Sequence, residues 1–76
     1  MEEGPQPLDV LLQQNGLSNG DLVKASGGNL TFKMIGKGRK GRRLTSRIQR
    51  RILQGMRLLL PDSNLDLGDL FTYRGR

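Results

Sequence analysis

Gly16-Leu17-Ser18-Asn19-Gly20-Asp21-Leu22-Val23-Lys24-Ala25-Ser26-Gly27, continued by Gly28-Asn29-Leu30-Thr31-Phe32-Lys33-Met34-Ile35, decides the fold. Ser18 followed at the third position by Asp21 is a capping-box pattern, with Asp in place of the usual Glu, and it marks a helix start. Leu17 before the cap and Leu22 after it have the spacing of a hydrophobic staple. Leu22, Val23 and Ala25 are apolar, which predicts a short, tightly packed helix. Ser26-Gly27-Gly28-Asn29 is a turn by composition. Thr31 is then the N-cap of a third helix, and Leu30 is placed to staple to Ile35. That helix runs to about Lys37 or to Lys40. Gly36 and Gly38 each weaken it by about 1 kcal/mol relative to alanine. Either the helix ends at Gly36, or the glycines serve a close backbone approach to a partner.

Working outward, Leu8, Leu11 and Leu12 fall at i, i+3 and i+4, the stripe of a first helix over Leu8 to Gln14. Pro7 suits its first turn, Asp9 sits near the positive end of its dipole, and Asn15-Gly16 stops it. On the other side, Gly38-Arg39-Lys40-Gly41-Arg42-Arg43 is a basic loop containing glycine. Thr45 caps a long helix that Pro61 ends. Ile48, Ile52, Met56 and Leu59 make its apolar stripe, widened by Leu53 and Leu60, while Arg47, Arg50, Arg51 and Arg57 lie off it. In the tail, Asp66 with Asp69 is placed to cap one short turn. Leu67, Leu70 and Phe71 follow as an apolar patch that either covers core between the first and last helices or makes a dimer contact. The expected plan is a disordered N-terminus over 1–6, a helical domain over 7–61, and a C-terminal tail over 62–76 whose short helical turn packs on the domain and whose end frays from Thr72. The fold class is all-α, a compact bundle of four to five helices.

With 76 residues the chain holds one domain. A domain of this size buries only about 60% of its unfolded surface, so the core is thin. There is no Cys and no His, which removes disulfides, thiol nucleophiles, Cys/His zinc sites and imidazole acid–base chemistry. No carboxylate cluster has metal-site spacing, and Gly36-Lys37-Gly38-Arg39-Lys40-Gly41 lacks the Walker spacing and its following Ser/Thr. Catalysis, cofactors and metals are therefore not expected. The acidic, polar start is unlike a signal peptide, and no apolar run is long enough to span a bilayer. A cytoplasmic, nucleoid-associated protein is expected.

Charge placement says more than the net +6. Residues 1–21 carry four acids and no base, residues 22–61 carry eleven bases and no acid, and residues 62–76 carry three acids and two bases, so −4, +11 and −1 sum to +6. Ordinary solvated surface mixes the signs. An acid-free block of this length suits a polyanion, whose phosphates release counterions when neutralised. A charge run kept for solubility is the bland alternative.

Gly16-Leu17-Ser18, Asp21-Leu22-Val23-Lys24-Ala25-Ser26-Gly27, Thr31, Ile35 and Gly41 together resemble the Cro and lambda-repressor type of helix-turn-helix. The likeness covers roughly residues 8–60, with a turn lengthened by Gly28-Asn29. The stretch Leu30 to Thr45 and the ending Asp69-Leu70-Phe71-Thr72-Tyr73 are also similar to small uncharacterised bacterial helix-turn-helix proteins. The resemblance implies a DNA-binding transcriptional regulator whose second helix of the pair enters the major groove. It makes Phe32, Lys33 and Lys37 groove-facing, the lysines toward guanine O6 and N7 and Phe32 toward a thymine methyl; the other reading of Phe32 is a core aromatic. Met34 is expected to pack. Phosphates would be met by Thr31, Arg39, Lys40, Arg42, Arg43 and Arg47, with Arg50 and Arg51 extending the patch. The expected partner is double-stranded DNA, with a homodimer on a two-fold site. Structured RNA is the alternative, and a membrane surface under the 45–60 helix is a weaker one, since that apolar stripe is needed for the core.

Overall fold

The Ser18 hydroxyl accepts the Asp21 amide at 3.2 Å, and the Asp21 carboxylate accepts the Ser18 amide at 2.8 Å. The Ser18 hydroxyl also donates to that carboxylate at 3.0 Å, and the two bonds it accepts from Ser18 hold the Asp21 pKa below its ordinary value, the backbone bond contributing most. Thr31 accepts the Met34 amide at 3.1 Å, and Thr45 accepts the Ile48 amide at 3.2 Å. Each cap satisfies a donor that the first turn leaves without an intrahelical partner. In the computed structural model, which describes residues 4–73 and 75, these caps open three of four helices: α1 (Pro7–Gln14), α2 (Asn19–Ala25), α3 (Phe32–Lys40) and α4 (Ser46–Leu59). Two single 3-10 turns follow, Pro61–Ser63 and Leu67–Asp69, the second closed by the Asp66–Asp69 capping box. The architecture is an all-α bundle.

The connection from α2 to α3 is closed by one side chain. The Ser26 hydroxyl donates to the Val23 carbonyl at 2.7 Å and accepts the Leu30 amide at 3.2 Å. Gly27 and Gly28 between them both have positive φ, which only glycine adopts at low cost.

Helix α3 does not end at Gly36; it continues through Gly38 to Lys40. A Cβ on Gly38 would stand 3.0 Å from Leu44 Cδ1, 3.6 Å from Ile52 and 3.7 Å from Leu8, so α1, α4 and the loop converge on the bare backbone there. The helix then ends in a Schellman arrangement, the Arg42 amide on the Lys37 carbonyl (3.0 Å) and the Gly41 amide on the Gly38 carbonyl (3.3 Å). Gly41 has φ +92°, and a Cβ on it would overlap the Gly4 carbonyl oxygen.

The core is formed by Leu8 and Leu12 of α1, Leu22 of α2, Leu30, Ile35 of α3, Leu44, Ile52, Leu53 and Met56 of α4, and Leu65, Leu70 and Phe71 from the segment after it. Helix α2 approaches α4 at Gly55, where a Cβ would come within 2.7 Å of Leu22 Cδ1. Leu70 and Phe71 lie inside this core. The patch they form with Leu67 therefore covers the protein's own interior, and the dimer-contact alternative for Leu70 and Phe71 is removed.

The segments on either side of the helices are more tightly held than their composition suggests. Gln6 is buried. Its amide donates to the Arg39 carbonyl (3.2 Å) and its Nε2 to the Gly4 carbonyl (3.0 Å), while its Oε1 accepts the Thr72 amide (2.7 Å) and the Thr72 hydroxyl (3.1 Å). The Leu8 amide donates to the Leu70 carbonyl at 3.0 Å. Gln6 is thus a clasp and not part of a disordered arm, because a buried amide side chain is retained only with its donors and acceptors matched. Thr72 and Tyr73 are likewise bonded and do not fray. The expectations for residues 1–3, 74 and 76 lie outside the described residues.

Candidate nucleic-acid interface

Lys33, Gly36, Lys37 and Lys40 recur at i, i+3, i+4 and i+7, one face of α3, opposite buried Ile35 and Gly38. With Arg42 they line a notch of about 320 Å³. Lys33, Lys40 and Arg42 are exposed and Lys37 is half-buried. Among the described residues, no acid lines this concavity.

Phe32 is 61% exposed, which excludes the core reading for it. Its ring edge lies over α2 at Gly20, where a Cβ would stand 3.6 Å from Cε1 and Cζ. Met34 is half-buried and packs against the core, as expected. Thr31 is exposed and uses its hydroxyl oxygen on the Met34 amide.

The loop after α3 is fixed by Tyr73. The Leu44 amide donates to the Tyr73 hydroxyl at 3.0 Å, and that hydroxyl donates to the Arg42 carbonyl at 3.0 Å. The Arg43 guanidinium stands 5.5 Å from the Tyr73 ring centroid, and the Phe71 ring meets Tyr73 edge-on. Arg42 and Arg43 are both exposed on this loop, and Arg47 is exposed in the first turn of α4. The role of Tyr73 has no signature in the sequence beyond its being the single tyrosine.

Arg39 departs from its expected role. Its Nε donates to Asp9 Oδ1 and its Nη1 to Asn19 Oδ1 at 2.8 Å, and both partners of the ion pair are largely shielded from solvent. This guanidinium ties α3 to α1 and α2 and is not presented to a phosphate. The helical phase explains the difference: one residue before Lys40, Arg39 is rotated about 100° from the lysine face. Arg51 reaches the Asn29 carbonyl at 3.4 Å, and Arg57 binds the Leu65 carbonyl at 2.8 Å and Asp66 at 3.2 Å. Arg50 faces the C-terminal segment, lining concavities with Leu67 and Gly68.

Four of the described acids are committed elsewhere than the lysine face of α3. Asp9 is paired with Arg39, Asp21 caps α2, and Asp66 and Asp69 cap the second 3-10 turn.

Arg39→Ala separates a structural from a binding role. Removing the charge-assisted bonds to Asp9 and Asn19 should cost about 1–3 kcal/mol, a fall of roughly 5–15 °C in thermal midpoint. Affinity for duplex DNA measured well below that midpoint should stay close to wild type. Lost affinity with an unchanged midpoint would return Arg39 to the binding surface.

Among the described residues, no helix is long and apolar enough to cross a membrane. Compared with protein-family models, curated proteins and solved structures, the chain matches none of them.

Proposed function

We propose that this protein binds double-stranded DNA through the outward face of α3, without catalysis, as a small transcriptional regulator of helix-turn-helix type. In this reading α2 braces α3, and α3 enters the major groove by its N-terminal half. Phe32 and Lys33, with Lys37 behind them, face the bases. Thr31, Lys40, Arg42, Arg43 and Arg47 meet the phosphates that set the register. A single module of this size makes few base contacts, so a homodimer on a two-fold site supplies the remaining specificity. One observation carries the reading: Lys33, Lys37, Lys40 and Arg42 line one concavity on the outward face of α3, with no acid among its described lining residues.

The test is selection of bound sequences from a random duplex pool with ribosomal RNA present as competitor. The expected result is an enriched duplex motif whose affinity falls steeply with salt, with a slope corresponding to several phosphates. A pool that enriches nothing makes the protein a non-specific duplex binder. Loss of all duplex to the RNA competitor replaces DNA with structured RNA as the partner.

A further inference from the structure

We infer that the notch at Gly36 is the seat of a phosphate group carried by the nucleic-acid backbone, an inference that rests on the α3 face being the nucleic-acid surface. The inference begins with the glycine. Gly38, Gly41 and Gly55 are all required by the fold, because a Cβ at each would press on a neighbour. Gly36 is different. A Cβ there meets nothing within 4 Å, and its φ is not positive. Alanine would fit and would make a better helix. The fold therefore supplies no reason for a bare backbone at this point, and the reason lies with what approaches from outside.

The surroundings define that visitor. Lys33 stands one turn before Gly36, Lys37 beside it, Lys40 one turn after, and Arg42 closes the rim. Three of the four are lysines, whose compact ammonium groups serve phosphate as point charges. Base edges are read best by planar Arg, Asn and Gln, and Arg42, at the rim, is the one such residue lining the notch. A base edge is also flat and carries partial charges, whereas a phosphate is convex and fully charged, matching a concavity ringed by cations. The notch lies toward the C-terminal half of α3, the end that in a groove-bound helix turns away from the bases. The negative end of the helix dipole disfavours an anion there, and Lys37 and Lys40 are the groups that reverse the sign. The assignment moves Lys37 from the base edge to the backbone and leaves base discrimination to Phe32 and Lys33.

Gly36→Ala and Gly36→Leu test this, because both variants should fold with a raised thermal midpoint. Affinity for a short random-sequence duplex is measured across a salt series. In parallel, the backbone amide shifts of wild type and Gly36→Leu are followed by NMR on adding inorganic tripolyphosphate. The expected result is affinity that falls stepwise from glycine to alanine to leucine, about tenfold or more for leucine, with a salt slope shallower by about one. Tripolyphosphate should shift the amides from Lys33 to Arg42 in wild type and much less in Gly36→Leu. Unchanged random-duplex affinity, with an altered preference among selected sequences, would overturn the seat and place a base edge at Gly36. Wild-type protein that binds no duplex while tripolyphosphate still shifts these amides would overturn the nucleic-acid source and support the phosphate chemistry of the notch. Duplex binding that ignores residue size at 36, with no tripolyphosphate response, would remove the seat alone.

Discussion

Leu22→Ala should lower the thermal midpoint by about 10 °C or more, and Gly55→Ala should partly restore it. Leu22 is fully buried where α2 meets α4. Truncating such a leucine costs about 2–5 kcal/mol in lost transfer energy and residual cavity. For a domain with so thin a core that is a large share of the total stability. At about 4–8 °C per kcal/mol it is readily seen in a thermal melt. Gly55 sharpens the test, because an added methyl lands within 2.7 Å of Leu22 Cδ1. In the wild-type background that crowding costs about 1–3 kcal/mol, more than the roughly 1 kcal/mol alanine returns in helix propensity. With Leu22 truncated, the same methyl enters the vacated space and both contributions become favourable. Gly55→Ala is therefore destabilising alone and stabilising on top of Leu22→Ala, a coupling that urea denaturation of the four proteins measures. An equal effect of Gly55→Ala in the two backgrounds would mean that Leu22 does not occupy that space.

Charge reversal on the α3 face should have the largest effect on function. Lys37→Glu with Lys40→Glu replaces two cations of the notch by anions. Binding to duplex DNA should fall by about two orders of magnitude or more near physiological salt, and the salt slope should drop by about two. The helix should survive: lysine and glutamate have similar propensities, and a glutamate near the C-terminal end costs only about 0.3–1 kcal/mol against the dipole. The control is Lys24→Glu with Arg50→Glu, the same change in net charge placed on exposed residues of α2 and of the side of α4 facing the C-terminal segment. That pair should weaken binding several-fold at most. Equal loss from both pairs would mean that the protein attracts DNA by its overall field and has no localised site.

The helix starts were legible because capping is local chemistry. Ser18 with Asp21, Thr31, Thr45, and Asp66 with Asp69 each act within three residues of themselves. Pro61 stopped α4 for an equally local reason, since it cannot continue a helix. The lysine face of α3 was legible once the helix was known to run on, because Lys33, Lys37 and Lys40 share one helical phase. That phase also held the clue that Arg39 is turned inward, although its partners Asp9 and Asn19 lie too far away in sequence to be read from any pattern. The apolar stripe of α4 was legible at its centre, where Ile52, Leu53 and Met56 are buried, and not at its ends: Gln49 is buried while Ile48 and Leu59 are half-buried. The segment ending at Tyr73 passes over Gln49, whose Nε2 reaches the Tyr73 carbonyl at 3.5 Å. Gln6 was missed for the same reason. A polar residue beside Pro7 reads as solvated chain until the Thr72 amide is brought to it, and that encounter is a property of the whole fold.

The Gln6–Thr72 clasp joins residues 66 positions apart, and the Leu8–Leu70 backbone bond lies beside it, so the segments before α1 and after α4 run next to each other. A unit with this layout suits insertion. Residues 5 to 73 can be spliced into a turn of another protein whose two arms already stand side by side, because the insert asks for no wider gap than a hydrogen-bonded pair. Grafted in this way, the α3 face would be presented on the side of the host, and the host strands would not be forced apart to carry it.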